Sequence, residues 1–218
     1  MKQFYPSAHA SGIAADVNPF RCQGFVRGGT IACRDGSRRA IQSLPAFLRA
    51  LLVTDGTVTK ILEAYFWEPV MVDTLYQEFL SAEAEIPWVA INAGDRALMR
   101  RVRLRGADTG NEYARADSVI RAERVPDHFR QRLIDREIGI GALIRDSGLE
   151  SYREVMEVGV NQAPVPADTA QGVSGESLFR TYRIIIDGEP VILITETFPL
   201  ALFCSPDRAQ GDPNRAHS

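Results

Sequence analysis

Histidine and cysteine are scarce in this sequence, with three of each among 218 residues. Cys22, Cys33 and Cys204 lie far apart, form no CxxC pair and have no histidine nearby, so nothing resembles a zinc-ligand cluster. The thiols read as structural or incidental. His9 and His217 stand in terminal segments without a pattern, which leaves His128 alone and makes a histidine-centred catalytic triad a poor expectation. An excess of basic residues is also missing. The formal net charge is -3 and the pI about 5.7, so the chain lacks the positive footprint that steers proteins onto nucleic acid or anionic membrane. No run approaches the roughly 20 apolar residues of a membrane span, and the start, Met1-Lys2-Gln3-Phe4-Tyr5-Pro6, lacks the apolar centre of a secretory signal. These absences lead us to expect a cytoplasmic protein with no metal site and no nucleic-acid or membrane partner. There is also no internal repeat and no heptad run.

What remains is ordinary globular material, 45% hydrophobic and 24% charged, enough for one substantial core. Residues 1–42 mix Gly, Ala, Ser and Arg without a sustained period and read as an irregular extension with room for one short element. Residues 205–218, rich in Pro, Asp, Arg and Gly, read as a solvated tail, leaving 43–204 as the domain. Within it, residues 44–52 have apolar side chains at helical spacing after Pro45, and Thr57 offers an N-cap hydroxyl to a second helix through Lys60, Ile61 and Leu62. Residues 69–79, 98–104, 113–120 and 152–160 read as strands. Helices are expected from Pro126, with Phe129 and Leu133 on one face, and over residues 142–145. Residues 161–177, with Pro164, Pro166, Gly172 and Gly175, read as a long loop. The strongest local signal is Asp187-Gly188 between two β-branched runs, the signature of a tight hairpin. Strands joined by short turns, with helices clustered rather than alternating, predict an α+β fold: a single, mostly antiparallel sheet with helices packed on one face.

Two charges fall on apolar faces. Strand alternation puts Arg100 with Leu98, Val102 and Leu104, while Arg101, Arg103 and Arg105 share the other, solvated face. The same alternation puts Glu196 with Ile192, Ile194 and Phe198. A buried guanidinium requires an anionic partner, and a buried carboxylate requires a cation or a raised pKa. Two readings follow: a structural Arg100–Glu196 pair, or a pocket with one anion receptor and one proton-handling group. The second suits a small anionic substrate, because arginine's planar fork binds a carboxylate through two parallel hydrogen bonds.

In this order, Asp55-Gly56-Thr57-Val58-Thr59-Lys60, Arg100, Ile140-Gly141, Arg180-Thr181-Tyr182-Arg183, Gly188-Glu189-Pro190 and Thr195-Glu196 resemble the chorismate lyase family, and most closely its bacterial and archaeal chorismate pyruvate-lyase-like branch. The resemblance covers roughly residues 44–203. It implies a six-stranded antiparallel sheet with an internal cavity, and an enzyme that eliminates pyruvate from chorismate to leave 4-hydroxybenzoate without a cofactor. It further implies that Arg100 binds the ring carboxylate, that Glu196 contacts the ring hydroxyl, and that backbone groups at Val58 and at Ile140, next to Gly141, close around the ligand. Arg183 is placed on the Glu196 face by a two-residue hairpin loop. It stands either as a second anion receptor, for the enolpyruvyl carboxylate, or as a salt-bridged rim residue.

Two other classes remain open. The ligand-sensing domains of some bacterial transcription regulators resemble the same fold, although the forty-odd residues ahead of this domain are expected to be too short for a winged DNA-binding domain. A related enzyme acting on another enolpyruvyl or aromatic acid is the second. The oligomeric state is not readable from the sequence.

Overall fold

The alternation of apolar and polar residues that marks the strands also decides which side of the sheet is covered. The structure, a computed structural model, describes residues 29–33, 35–135, 139–163 and 175–204. Eight strands form one sheet: β1 (Thr30–Cys33), β2 (Arg38–Ala40), β3 (Val70–Ser81), β4 (Arg96–Gly106), β5 (Glu112–Ile120), β6 (Ser151–Ala163), β7 (Gly175–Ile186) and β8 (Glu189–Pro199). Their order is β2-β1-β6-β7-β8-β5-β4-β3, and among the described residues only the β1–β6 pair is parallel. The fold is therefore α+β with one large, mostly antiparallel sheet.

The strand count corrects the expectation of about six. β1 and β2, of four and three residues, are too short to show a period, yet they extend the sheet from a segment read as irregular. Part of the expected loop is also strand, since β6 runs through Ala163 and β7 begins at Gly175. The expectations for residues 1–28, 164–174 and 205–218 lie outside the described residues.

Among the described residues, four α-helices cover one face. These are α1 (Ala46–Val53), α2 (Val58–Phe66), α3 (Asp127–Ile134) and α4 (Ile140–Ser147). Leu48, Leu51, Leu52 and Leu62 of the first pair pack on Leu104, Ala114, Leu178 and Phe198. Phe129, Leu133, Leu143 and Ile144 of the second pair pack on Leu98, Ile120, Ile184 and Ile192. Burying each such side chain contributes about 1.5–3 kcal/mol, so the two clusters fix both helix pairs to the sheet. Ala82, Ile86, Val89 and Ile91, between β3 and β4, cover part of the opposite face at Ala97, Met99, Val119 and Leu193.

Two turns set the register of the central strands. In the β7–β8 hairpin, Asp187 (φ 50°) and Gly188 (φ 79°) both take positive φ, as a two-residue turn matched to strand twist requires. At the β4–β5 turn, the buried Glu68 carboxylate accepts the Asp108 and Thr109 amides (2.9 and 3.0 Å), the Thr109 hydroxyl (2.8 Å) and the Tyr113 hydroxyl. Burial alone pushes Glu68 toward a higher pKa, but the hydrogen bonds from Tyr113, Thr109 and Asp108 outweigh it and hold the carboxyl below its usual range. The same arrangement, with burial first and Glu68 second, pushes Tyr113 up to about 12.

Candidate active site

Between the two helix pairs the sheet carries polar side chains where its ends carry leucine and isoleucine. The register aligns Arg100 (β4) with Ser118 (β5), Ser118 with Ile194 (β8) and Ile194 with Tyr182 (β7). One row along, Ala116 faces Glu196 and Glu196 faces Arg180. Arg100, Ser118, Glu196, Arg180 and Tyr182 are thus all on the helix-covered face, and all five are buried. A cavity of about 370 Å³ lies over them, lined by Arg100, Ser118, Tyr182 and Glu196 among Val72, Val102, Ile184 and Ile194. A few placed polar groups in an otherwise apolar hollow is the usual make-up of a small-molecule site.

Two helix starts line the cavity opposite the sheet. Val58 opens α2 and Ile140 opens α4, and both line the cavity together with Thr57, Gly139, Gly141 and Ala142. The first amides of each helix have no acceptor within the helix, and the helix dipole adds positive potential there, so the opening favours anions. Thr57 stands at the N-cap position of α2 but its hydroxyl makes no capping bond, contrary to the sequence reading. It packs instead against α4: a Cβ at Gly141 would lie 3.2 Å from Thr57 Cγ2, a tight contact that a side chain there would have to relieve by a small shift.

Glu196 does not pair with Arg100. Its Oε2 accepts Nη2 of Arg180 at 2.7 Å, and its Oε1 accepts the Tyr182 hydroxyl at 3.0 Å. The Arg180 guanidinium lies 4.7 Å from the Tyr182 ring centre, and its Nη1 donates to the Leu51 and Thr54 carbonyls at the end of α1. Burial lowers the pKa of Arg180, but the Glu196 carboxylate more than offsets it, so the net shift is upward and the cation is secure. Burial, reinforced by the Glu196 charge, pushes Tyr182 well above the usual phenol range and keeps it a hydrogen-bond donor. Arg100 is 3% exposed, and its Nη2 donates to Thr74 Oγ1 at 3.3 Å. Arg101, Arg103 and Arg105 lie on the other face, paired with Asp117, Asp73 and Asp73.

The structure brings Val58, Arg100, Ile140, Gly141 and Glu196 to one cavity and leaves Arg183 out. Arg183 faces the opposite side of the sheet, bonded to Glu154 (2.6 and 2.7 Å) and to the Trp88 carbonyl (3.2 Å). The cause is one extra residue in β8: Ile185 pairs with Pro190 but Ile184 pairs with Ile192, leaving Val191 as a bulge. A one-residue slip reverses which side chains share a face, so Arg180 and Tyr182 take the place that a regular hairpin gives to Arg183. Pro190 was the readable sign, since proline inside a paired strand marks an edge or a bulge.

The family model described as "Chorismate pyruvate-lyase Rv2949c-like" matches residues 52–204. The chain belongs to this family. The chorismate pyruvate-lyase of Mycobacterium leprae is 31% identical over 178 residues, covering 81% of this chain and 85% of that protein. That of Mycobacterium tuberculosis is 26% identical over 187 residues, covering 82% and 92%. Among solved structures, PhnF from Mycobacterium smegmatis aligns with a TM-score of 0.49 at 14% identity, covering 67% of this chain and 65% of that one. The family match encloses every cavity-lining residue named above, so the cavity belongs to the part of the chain that is chorismate lyase-like.

Proposed function

We propose that this protein eliminates pyruvate from chorismate and leaves 4-hydroxybenzoate. The observation that carries the reading is the placement of the buried Arg100 and Glu196 on one cavity, two strands and two residues apart, a backbone separation of roughly 12 Å that leaves room for one ring between the side chains. Arg100 binds the ring carboxylate through its fork, and the amides opening α2 and α4 add positive potential around the same anion. Glu196, held by Arg180 and Tyr182, keeps free lone pairs for the ring hydroxyl.

The reaction removes the proton from the carbon bearing the hydroxyl and breaks the ether bond on the neighbouring carbon. The leaving enolpyruvate takes up a proton and becomes pyruvate, while the ring becomes aromatic. Nothing is oxidised or reduced, and aromatisation supplies the driving force. Glu196 assists the proton transfer beside the hydroxyl it orients. Catalysis is then a matter of position and fixed charge.

The test is incubation of purified protein with chorismate. Equimolar pyruvate and 4-hydroxybenzoate support the reading. Binding without turnover assigns the cavity to an effector-binding module, and chorismate neither bound nor consumed assigns it to another acid.

A further inference from the structure

We infer that Arg153 is the receptor for the second carboxylate of a dicarboxylate substrate, a selectivity element in the same cavity. This rests on the proposed reaction, in which the substrate carries one carboxylate on the ring and another on the enolpyruvyl group, whereas the aromatic product keeps only the first.

Arg153 stands on β6 opposite Ile184, on the helix-covered face, and lines the cavity. Four inter-strand steps and an offset of two residues separate it from Arg100 on β4, roughly 20 Å of backbone, so the two arginines enter the cavity from opposite flanks. Its Nη1 donates to the Asp55 carbonyl in the loop ahead of α2, which fixes one corner of the guanidinium. Its Nε is buried with no hydrogen-bond partner. Among the described residues no carboxylate forms an ion pair with it. The Nε–Nη2 edge, the side-on fork that grips a carboxylate with two parallel hydrogen bonds, is therefore uncommitted. The other cations lining the cavity away from Arg100 are committed: Lys60 pairs with Glu63 at 2.6 Å and Arg145 with Asp146 at 2.8 Å.

The position suits the leaving group. Arg153 stands two strands from Glu196 and four from Arg100, so it enters the cavity from the side of the sheet nearer Glu196. A carboxylate gripped there aligns the enolpyruvyl group and stabilises the charge that develops on it. It also rejects ring acids that lack the second carboxylate, because binding them leaves the buried Nε unmatched. The bland alternative makes Arg153 only a strut for the Asp55 carbonyl.

The experiment compares Arg153→Met and Arg153→Lys with wild type in three measurements: kcat/KM for chorismate, and direct calorimetric binding of chorismate and of 4-hydroxybenzoate. We expect Arg153→Met to lower kcat/KM and chorismate affinity by at least ~30-fold while 4-hydroxybenzoate affinity stays within about threefold, with partial recovery in Arg153→Lys. Equal losses for both ligands, or no loss for either, overturn the inference. Thermal unfolding of each variant separates a folding defect: a variant that has lost its cooperative transition while Arg153→Lys behaves as wild type for both ligands leaves the strut role and rejects the receptor. If wild type binds chorismate without turnover, the lyase reading fails and selective loss of chorismate binding still supports Arg153. If wild type binds neither ligand, both fail.

Discussion

Arg180 and Glu196 form a buried ion pair at 2.7 Å, with Arg180 1% and Glu196 7% exposed, and the pair joins the end of α1 to the wall of the cavity. Glu196 therefore carries two duties: it is the counter-charge of a cation already needed by the fold, and it faces the ligand cavity. The orientation that the proposed reaction requires is built by the same contacts that hold α1 and its following loop on the sheet.

Breaking the pair from the cation side should destabilise the protein strongly. For Arg180→Met we expect a loss of about 3–5 kcal/mol in urea unfolding, because an uncompensated carboxylate is left beside an apolar core. A loss below about 0.5 kcal/mol would show that the pair is not a structural tie.

Glu196→Gln separates fold from chemistry. Gln keeps the shape and a carbonyl for Tyr182, but it removes the counter-charge of Arg180 and cannot carry a proton. We expect a folded protein less stable by about 3 kcal/mol, with most turnover lost per folded molecule. Near-normal activity per folded molecule, read by pyruvate release alongside thermal unfolding, would confine Glu196 to its structural duty.

The arginine run on β4 gives a test by position. Arg100→Ala should weaken 4-hydroxybenzoate binding by about 1.5–3 kcal/mol, roughly 10- to 150-fold in Kd, because it removes a charged hydrogen-bonding group from the cavity. Arg101→Ala and Arg103→Ala, on the opposite face, should change Kd by less than about threefold, and stability by no more than about 1 kcal/mol for part-exposed pairs. Equal binding losses at all three positions would contradict the facial assignment.

Acid should act on the β4–β5 turn. The folded pKa of Glu68 is depressed, so its contribution is fully present above the unfolded value near 4.3 and is lost as pH falls through the lower folded value. Glu68→Gln should cost about 1–3 kcal/mol at pH 7, and the difference from wild type should shrink below about pH 4. A gap that is constant from pH 7 to pH 3 would mean that the carboxylate charge plays no part.

Much of this arrangement is legible in the sequence. Asp187-Gly188 announced the hairpin, and strand alternation put Arg100 and Glu196 on covered faces. Alternation fails wherever a residue is inserted, because one bulge reverses the faces beyond it. That is why a regular two-residue hairpin puts Arg183 on the Glu196 face, and why Arg180, the partner of Glu196, is not readable from alternation. The place of Arg153 in the cavity lining is not legible locally, because β6 mixes charged and apolar residues on both faces and the cavity is completed by strands far away in sequence. β1 and β2 join the sheet through tertiary pairing that no local pattern of three or four residues records.

The most direct test of the account is turnover of chorismate by the purified protein in the presence of a chelator, with pyruvate and 4-hydroxybenzoate both measured. The account predicts that the two products appear in equal amounts at a rate the chelator does not change, and that Arg100→Ala and Glu196→Gln each abolish most of it. Chorismate bound in the cavity but left intact by folded wild-type protein would contradict it.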